Sequence, residues 1–425
     1  MMSFKSNKKS LKRRTTRSSH TFFNNIVYSI LVGISVGLAS AFFLISLDWV
    51  TLTRESNQWI IWLLPIGGLV IGMTYHYYGK DVVRGNNLLI EEYHTPKKYI
   101  PFKMAPFVLF GTLITHLFGG SAGREGTAVQ MGGAISDQFS RWFGIQSINR
   151  KTLLIMGISA GFSGVFGTPI AAAIFSIEVL TKGKNRYRAI VPALLAAYIA
   201  DVTCHFAGAT HTHYHIPFAP DMTINLFLWT VLSGILFGIT AYSFSTIMRL
   251  FTTFFQRIIS YPPLRPVVGG IIIAICVYLM GTTKYIGLGI PTIVESFDAQ
   301  LPQYDFLIKL LITAFTLSAG FKGGEVTPLF FIGATLGNLL FIFIPLPLAL
   351  LAGMGFVAVF SGATNTPIAC AIMGIELFGI EGGAYITVAC VVAFIFSGKT
   401  GIYSAQSVPV LKQELPDILL RRKSK

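Results

Sequence analysis

Residues 119–127 read Gly119-Gly120-Ser121-Ala122-Gly123-Arg124-Glu125-Gly126-Thr127 (GGSAGREGT). They set one acid among four glycines, between an apolar run ending at Phe118 and a mixed helical run after Thr127. A loop of this kind leaves backbone N–H groups free where the next helix begins, and such a helix start attracts anions. An ionisable residue at a break inside a membrane is functional by default, because burying it there is costly. Glu125 is therefore the first candidate residue, and the fold turns on whether the flanking runs are membrane helices.

Composition answers that question. The chain has 425 residues, 53% hydrophobic and 12% charged, with a mean hydropathy of +0.64, which no soluble domain shows. It reads as an all-α polytopic membrane protein. The formal charge is +15, and much of the excess lies in the tails: Lys5, Lys8, Lys9, Lys12, Arg13, Arg14 and Arg17 at one end, Arg421, Arg422, Lys423 and Lys425 at the other. Basic flanks beside membrane spans mark cytoplasmic ends, so both termini are expected inside a cell (plasma) membrane. The core lacks the basic and aromatic platform that nucleic acid needs, and no such partner is expected. The run 22–50 is too long for a signal-peptide core and stands as the first span. Cys204, Cys276, Cys370 and Cys390 are scattered without a CxxC pair, as small packing residues are.

In chain order, residues 1–20 form a polar basic tail, expected to be mobile and cytoplasmic. Apolar segments follow at 22–50, 59–78, 107–118, 128–143, 153–166, 169–180 and 190–206. A linker at 207–221 precedes a second series at 226–255, 267–280, 306–317, 329–344, 346–360, 368–378 and 384–396, and 406–425 forms a short cytoplasmic tail. Several segments are shorter than the ~20 residues a crossing takes. Helices that stop inside a membrane are tolerated only where the broken backbone is buried in protein or lines a cavity, so each break is a candidate site.

The second series repeats the first. ISAGFSGVFGTPIAAAIFSIEVL from Ile158 lies over FVAVFSGATNTPIACAIMGIELF from Phe356 without a gap, about half the pairs being identical. Thr168-Pro169 matches Thr366-Pro367, Glu178 matches Glu376, and GGSAGREGT has its partner in SAGFKGGEVTP from Ser318. The chain is a duplication, with membrane repeats at 21–206 and 222–405. With both ends inside, an odd number of crossings per half makes the repeats inverted. Glu178 and Glu376, symmetric and at helix ends, are read as structural hydrogen-bonding groups. His205, His211, His213 and His215 in and beside the linker are read as an ordinary polar loop in preference to a zinc or copper site; no metal or other cofactor is expected. Ser397-Gly398-Lys399-Thr400 ends like a phosphate loop, but Ala393 stands where its first glycine belongs.

Three glycine-rich breaks, at 85–89 (GNNLL), 119–127 (ending in GREGT) and 320–328 (ending in GEVTP), together resemble the CLC family of anion channels and anion/proton exchangers, over residues 22–405. GREG is the specific signal, and the paired Thr-Pro steps and Tyr403 add to it. The resemblance implies a CLC-type inverted repeat with many short, tilted and broken helices, an anion pathway in each subunit of a homodimer, and Glu125 as gate. Chloride-handling members show GSGIP, GREGP and GIFAP at these breaks, and the three departures resemble the fluoride-exporting branch. It implies anion-binding roles for Asn86, Gly126, Thr127, Val326, Thr327 and Tyr403, and a proton-coupling role for Glu325 beside Glu125. Val179 stands where many chloride exchangers carry an internal proton-relay glutamate.

The residue chemistry agrees with fluoride, a small, strongly hydrated ion that needs several short hydrogen bonds in place of its water. Asn86, Tyr403, Thr127 or Thr327, and a protonated Glu125 or Glu325 can donate them. Fluoride/proton antiport is thus the expected function, with a chloride-selective channel or exchanger as the alternative. An intramembrane enzyme using Glu125 with His116 or Glu325 is a third reading, and the breaks show neither a metal-ligand set nor a nucleophile with its base.

Overall fold

The computed structural model describes residues 3–180 and 184–413, which hold seventeen α-helices and no strand beyond one isolated bridge. The first half runs α1 (Ser3–Ser56), α2 (Leu64–Tyr77), α3 (Asn86–His94), α4 (Met104–Leu117), α5 (Glu125–Trp142), α6 (Ser147–Phe166), α7 (Pro169–Glu178) and α8 (Ile190–Phe206). The second runs α9 (Ile224–Ile258), α10 (Leu264–Met280), α11 (Ile290–Asp298), α12 (Asp305–Ser318), α13 (Val326–Leu340), α14 (Leu348–Thr364), α15 (Pro367–Phe378) and α16 (Gly383–Phe396), with the short α17 (Val410–Gln413) after it. The halves correspond helix for helix: α3 and α11 both have 9 residues, and α4 and α12 both have 14.

Four helical stretches, at 23–56, 58–77, 187–206 and 224–258, are long and apolar enough to cross a bilayer, whereas α4, α7, α10 and α13 to α16 are shorter. The repeat punctuates them alike. α6 ends on Gly167 at φ 71° and α14 on Asn365 at φ 58°, both left-handed, and Pro169 and Pro367 then start the next helices. Proline suits a first turn, where its missing N–H has no helical partner to lose.

Glu178 and Glu376 show how the halves are related. From the C-terminal end of α7, the Glu178 carboxylate accepts from the N–H groups of Ile368 and Ala369 (3.1 and 2.8 Å) at the start of α15. From the end of α15, Glu376 accepts from Ile170 and Ala171 (3.0 and 2.7 Å) at the start of α7. Each helix end caps the other's beginning, so α7 and α15 are antiparallel and the repeats are inverted. Both acids occupy the capping role that their symmetry suggested. Other counterparts meet across the same axis. A Cβ on Gly68 would fall 2.5 Å from the Pro266 oxygen, and one on Gly270 would fall 2.8 Å from the Pro65 nitrogen, so α2 and α10 pack at backbone distance. Phe162 stacks on its own counterpart Phe360 (6.4 Å) in the buried centre.

Two features differ from expectation. Residues 3–20, expected as a mobile tail, continue α1 as helix; they contain neither Gly nor Pro, and Lys and Arg propagate a helix that the apolar span has already nucleated. α3 and α11 are helices too short and too polar for a hydropathy reading to find. Most of the last basic tail lies outside the described residues, including Arg421 to Lys425.

Candidate functional site

The two glycine loops face each other on the pseudo-axis. Gly123 N–H donates to the Gly324 carbonyl at 2.6 Å and Gly324 N–H returns to Gly123 at 2.7 Å, an antiparallel bridge that sets the starts of α5 and α13 against one another. Glycine is required at this approach, because a Cβ on Gly324 would lie 2.7 Å from the Gly126 nitrogen. Gly323, at φ 150°, takes a backbone conformation that other residues avoid.

Glu125 opens α5, yet its side chain reaches into the other half. The Thr327 hydroxyl donates to both carboxylate oxygens (2.6 and 2.7 Å), and the Thr327 N–H donates to Oε2 at 3.0 Å. The Arg124 N–H adds a bond at 3.2 Å, with the Arg124 guanidinium 3.7 Å away. The residue is buried. Its carboxylate thus sits where the start of α13 would hold an anion.

Two cavities flank this point. A cleft of about 10 Å³ on one side holds Glu125, Arg124 and Thr327 with His211, Thr212 and Tyr214 of the linker. On the other, a cavity of about 170 Å³ is lined by Asn86, Glu325, Tyr403, Lys322, Arg84 and Gln130. Asn86 Oδ1 and Glu325 Oε2 are both buried there without a hydrogen-bond partner. Gly126 lies between: a Cβ on it would be 3.2 Å from Asn86 Nδ2 and 3.8 Å from Glu325 Oε2. Asn87 fixes the Tyr403 segment by accepting from the Ala405 N–H at 2.9 Å. Val326 is buried as the first residue of α13.

The structure therefore brings together Asn86, Gly126, Glu125, Glu325, Val326, Thr327 and Tyr403. Thr127 stands apart from them: its hydroxyl pairs with Thr112 of α4 at 2.7 Å, and it lines neither of these two cavities. The helix turn that points Glu125 across the axis points Thr127 back toward its own half. His116 is buried and does not line the Glu125 cleft. Lys322, over the Tyr75 ring at 4.2 Å, was missed although it lies inside the third glycine motif; a lysine in an apolar stretch is itself a signal. His205, His211 and His213 line a pocket with Asp201 and Glu376, and no group of three or more donors among the described residues is placed to hold a metal.

A buried carboxylate held between two facing helix starts, at the centre of an inverted repeat, defines a membrane ion-transport protein. Residues 67–398 match the voltage gated chloride channel family, and the chain belongs to this CLC family of integral membrane proteins. It is 49% identical over 396 residues to the chloride/fluoride channel protein of Pseudomonas syringae pv. tomato, covering 91% of this chain and 87% of that one. A crystal structure of a CLC-type fluoride/proton antiporter superposes with a TM-score of 0.88 at 36% identity, over 91% of this chain and 98% of its own. A slow cyanobacterial Cl⁻/H⁺ antiporter superposes at 0.77 with 20% identity over 89% and 96%, a likeness of fold.

Proposed function

We propose that this protein is a fluoride/proton antiporter that exports fluoride, with Glu125 as gate and proton carrier. The observation that carries the reading is the Glu125 carboxylate on the Thr327 N–H and hydroxyl, in the place an anion would take. An ionised carboxylate competes with the anion for those donors, whereas a protonated one loses most of that attraction and releases them, which couples proton uptake to anion entry. Asn86, Tyr403, Gly126, Val326 and Thr327 form the anion path, and Glu325, in the cavity it shares with Asn86 and Tyr403, is the second proton-coupling acid. The relatives named for fluoride support the choice of ion. The active form is a homodimer in the plasma membrane, not an enzyme, with repeats at 21–206 and 222–405, a linker at 207–221 and both termini cytoplasmic.

Purified protein in liposomes, followed with a fluoride electrode and a pH electrode, tests this. Fluoride efflux is expected to drive proton uptake, and Glu125→Gln, which cannot carry a proton, is expected to abolish it. Equal chloride and fluoride flux would favour the chloride reading; proton pumping by Glu125→Gln at the normal rate would overturn the assignment. Light scattering in detergent checks the dimer, and cysteine labelling near positions 10 and 420 checks the shared face of the termini.

A further inference from the structure

The linker between the halves is more than a connection. It folds over the end of α6, where Phe166, Gly167, His211, Thr212 and His213 meet Asp201 and His205 of α8 and Glu376 of α15 around a pocket of about 340 Å³. That pocket and the narrow Glu125 cleft share Phe166, His211, Thr212 and Leu377, so His211 faces both. The pocket lies at the opposite end of α6 from Tyr28 of α1, which packs on Phe143 (5.8 Å) just before α6 begins, so it opens on the face away from the start of α1. The cleft beyond it, about 10 Å³, has room for about one water.

We propose that His211 is a proton relay between the solution on the linker's face and Glu125; this deepens, and rests on, the proton-coupled reading above. The Gly164 carbonyl lies 3.3 Å from His211 Nε2 and fixes the tautomer with Nε2–H as donor, leaving Nδ1 as the acceptor. Nδ1 takes a proton from water in the outer pocket and passes it, through water in the cleft, to a carboxylate oxygen of Glu125. The imidazole returns to neutral, and the carboxylate becomes an acid that leaves the Thr327 donors. The charged groups facing His211 are Asp201 and His205 from α8 and Arg124, the residue just before α5. Glu376 is already committed to the α7 cap and Asp201 is not, so Asp201 is the group that draws protons into the pocket. Burial holds the His211 imidazole below the ordinary histidine value, against the opposing pull of the Gly164 carbonyl and Asp201. It therefore stays neutral at neutral pH and loads as the solution on that face is acidified, the direction a proton-driven export needs.

The test uses the full chain in liposomes with the linker's face at about pH 6, near the ordinary histidine value. His211→Gln retains a donor for Gly164 but cannot titrate, and His211→Ala leaves space for free imidazole. Both are expected to lower coupled proton and fluoride flux by about tenfold, less than the hundredfold or more of a positioned proton-transfer group because cleft water offers a slower route. Imidazole added on that face is expected to restore His211→Ala alone. Wild-type rates in both variants from about pH 5 to 8 would overturn the relay, and so would a loss that imidazole does not restore. The underlying reading fails separately: it falls if Glu125→Gln still moves protons, whereas a silent Glu125→Gln beside normal His211 variants sinks the relay alone.

Discussion

Glu178→Gln and Glu178→Ala separate a structural acid from a proton carrier at the position next to Val179. The carboxylate accepts two N–H groups at the start of α15, at 3.1 and 2.8 Å. Net, a hydrogen bond to a charged group contributes about 1.5–3 kcal/mol, and a negative charge at a helix start adds about 0.3–1 kcal/mol. Ile368 is exposed at this edge, so the lower half of the first range applies. Glutamine keeps one acceptor oxygen and no charge, for an expected loss of about 2 kcal/mol; alanine strips both donors, for about 3 to 4 kcal/mol. Thermal unfolding in detergent should move down by roughly 3 °C and 6 °C, respectively. Symmetry makes a second demand, because Glu376 holds the start of α7 at nearly the same distances. Glu376→Gln should therefore cost the same within about 0.5 kcal/mol. Both glutamine variants should keep their proton-to-fluoride ratio. Wild-type melting combined with selective loss of proton movement in Glu178→Gln would refute the capping argument and make the residue an internal proton carrier.

Thr327→Val keeps the shape and the backbone donor but removes the hydroxyl that bonds both Glu125 oxygens. It should weaken the seated carboxylate by about 1.5–3 kcal/mol and loosen coupling, read as fluoride leak without matching proton flux. Asn86→Ser replaces an amide that lies beside Gly126 and should raise chloride relative to fluoride transport by about tenfold, measured as a flux ratio. Gly324→Ala puts a Cβ 2.7 Å from the Gly126 nitrogen and should cut fluoride flux by more than about tenfold while the purified variant stays folded by circular dichroism.

The repeat was readable because identical residues recur at a fixed displacement, and the site because glycines and acids stand out in apolar sequence. What the sequence could not supply was direction. Thr127 and Thr327 both stand two residues after Glu125 and Glu325, yet one hydroxyl turns to Thr112 and the other to Glu125. That choice depends on the facing half. His211 reads as a loop residue because its meeting with Gly164 is a contact of 47 residues' separation. α3 was hidden because Gly85, at φ 55°, starts a 9-residue helix that mixes buried Leu89 and Ile90 with acids, which leaves no long apolar run. Glu178 and Glu376 were legible as structural, since a proton path has no need of symmetry and a reciprocal cap does.

The bridge between Gly123 and Gly324 constrains how the protein can cycle. It consists of main chain alone, on the axis where the halves meet, and its two bonds at 2.6 and 2.7 Å satisfy the donors of two buried residues. Rocking one half against the other would begin by breaking both, leaving unsatisfied groups at about 1–3 kcal/mol apiece before any passage opened. Rotating Glu125 breaks only side-chain bonds that a proton has already weakened. The bridge thus acts as a rivet through the hinge line, and turnover should be paced by protonation and side-chain rotation, with both halves standing still.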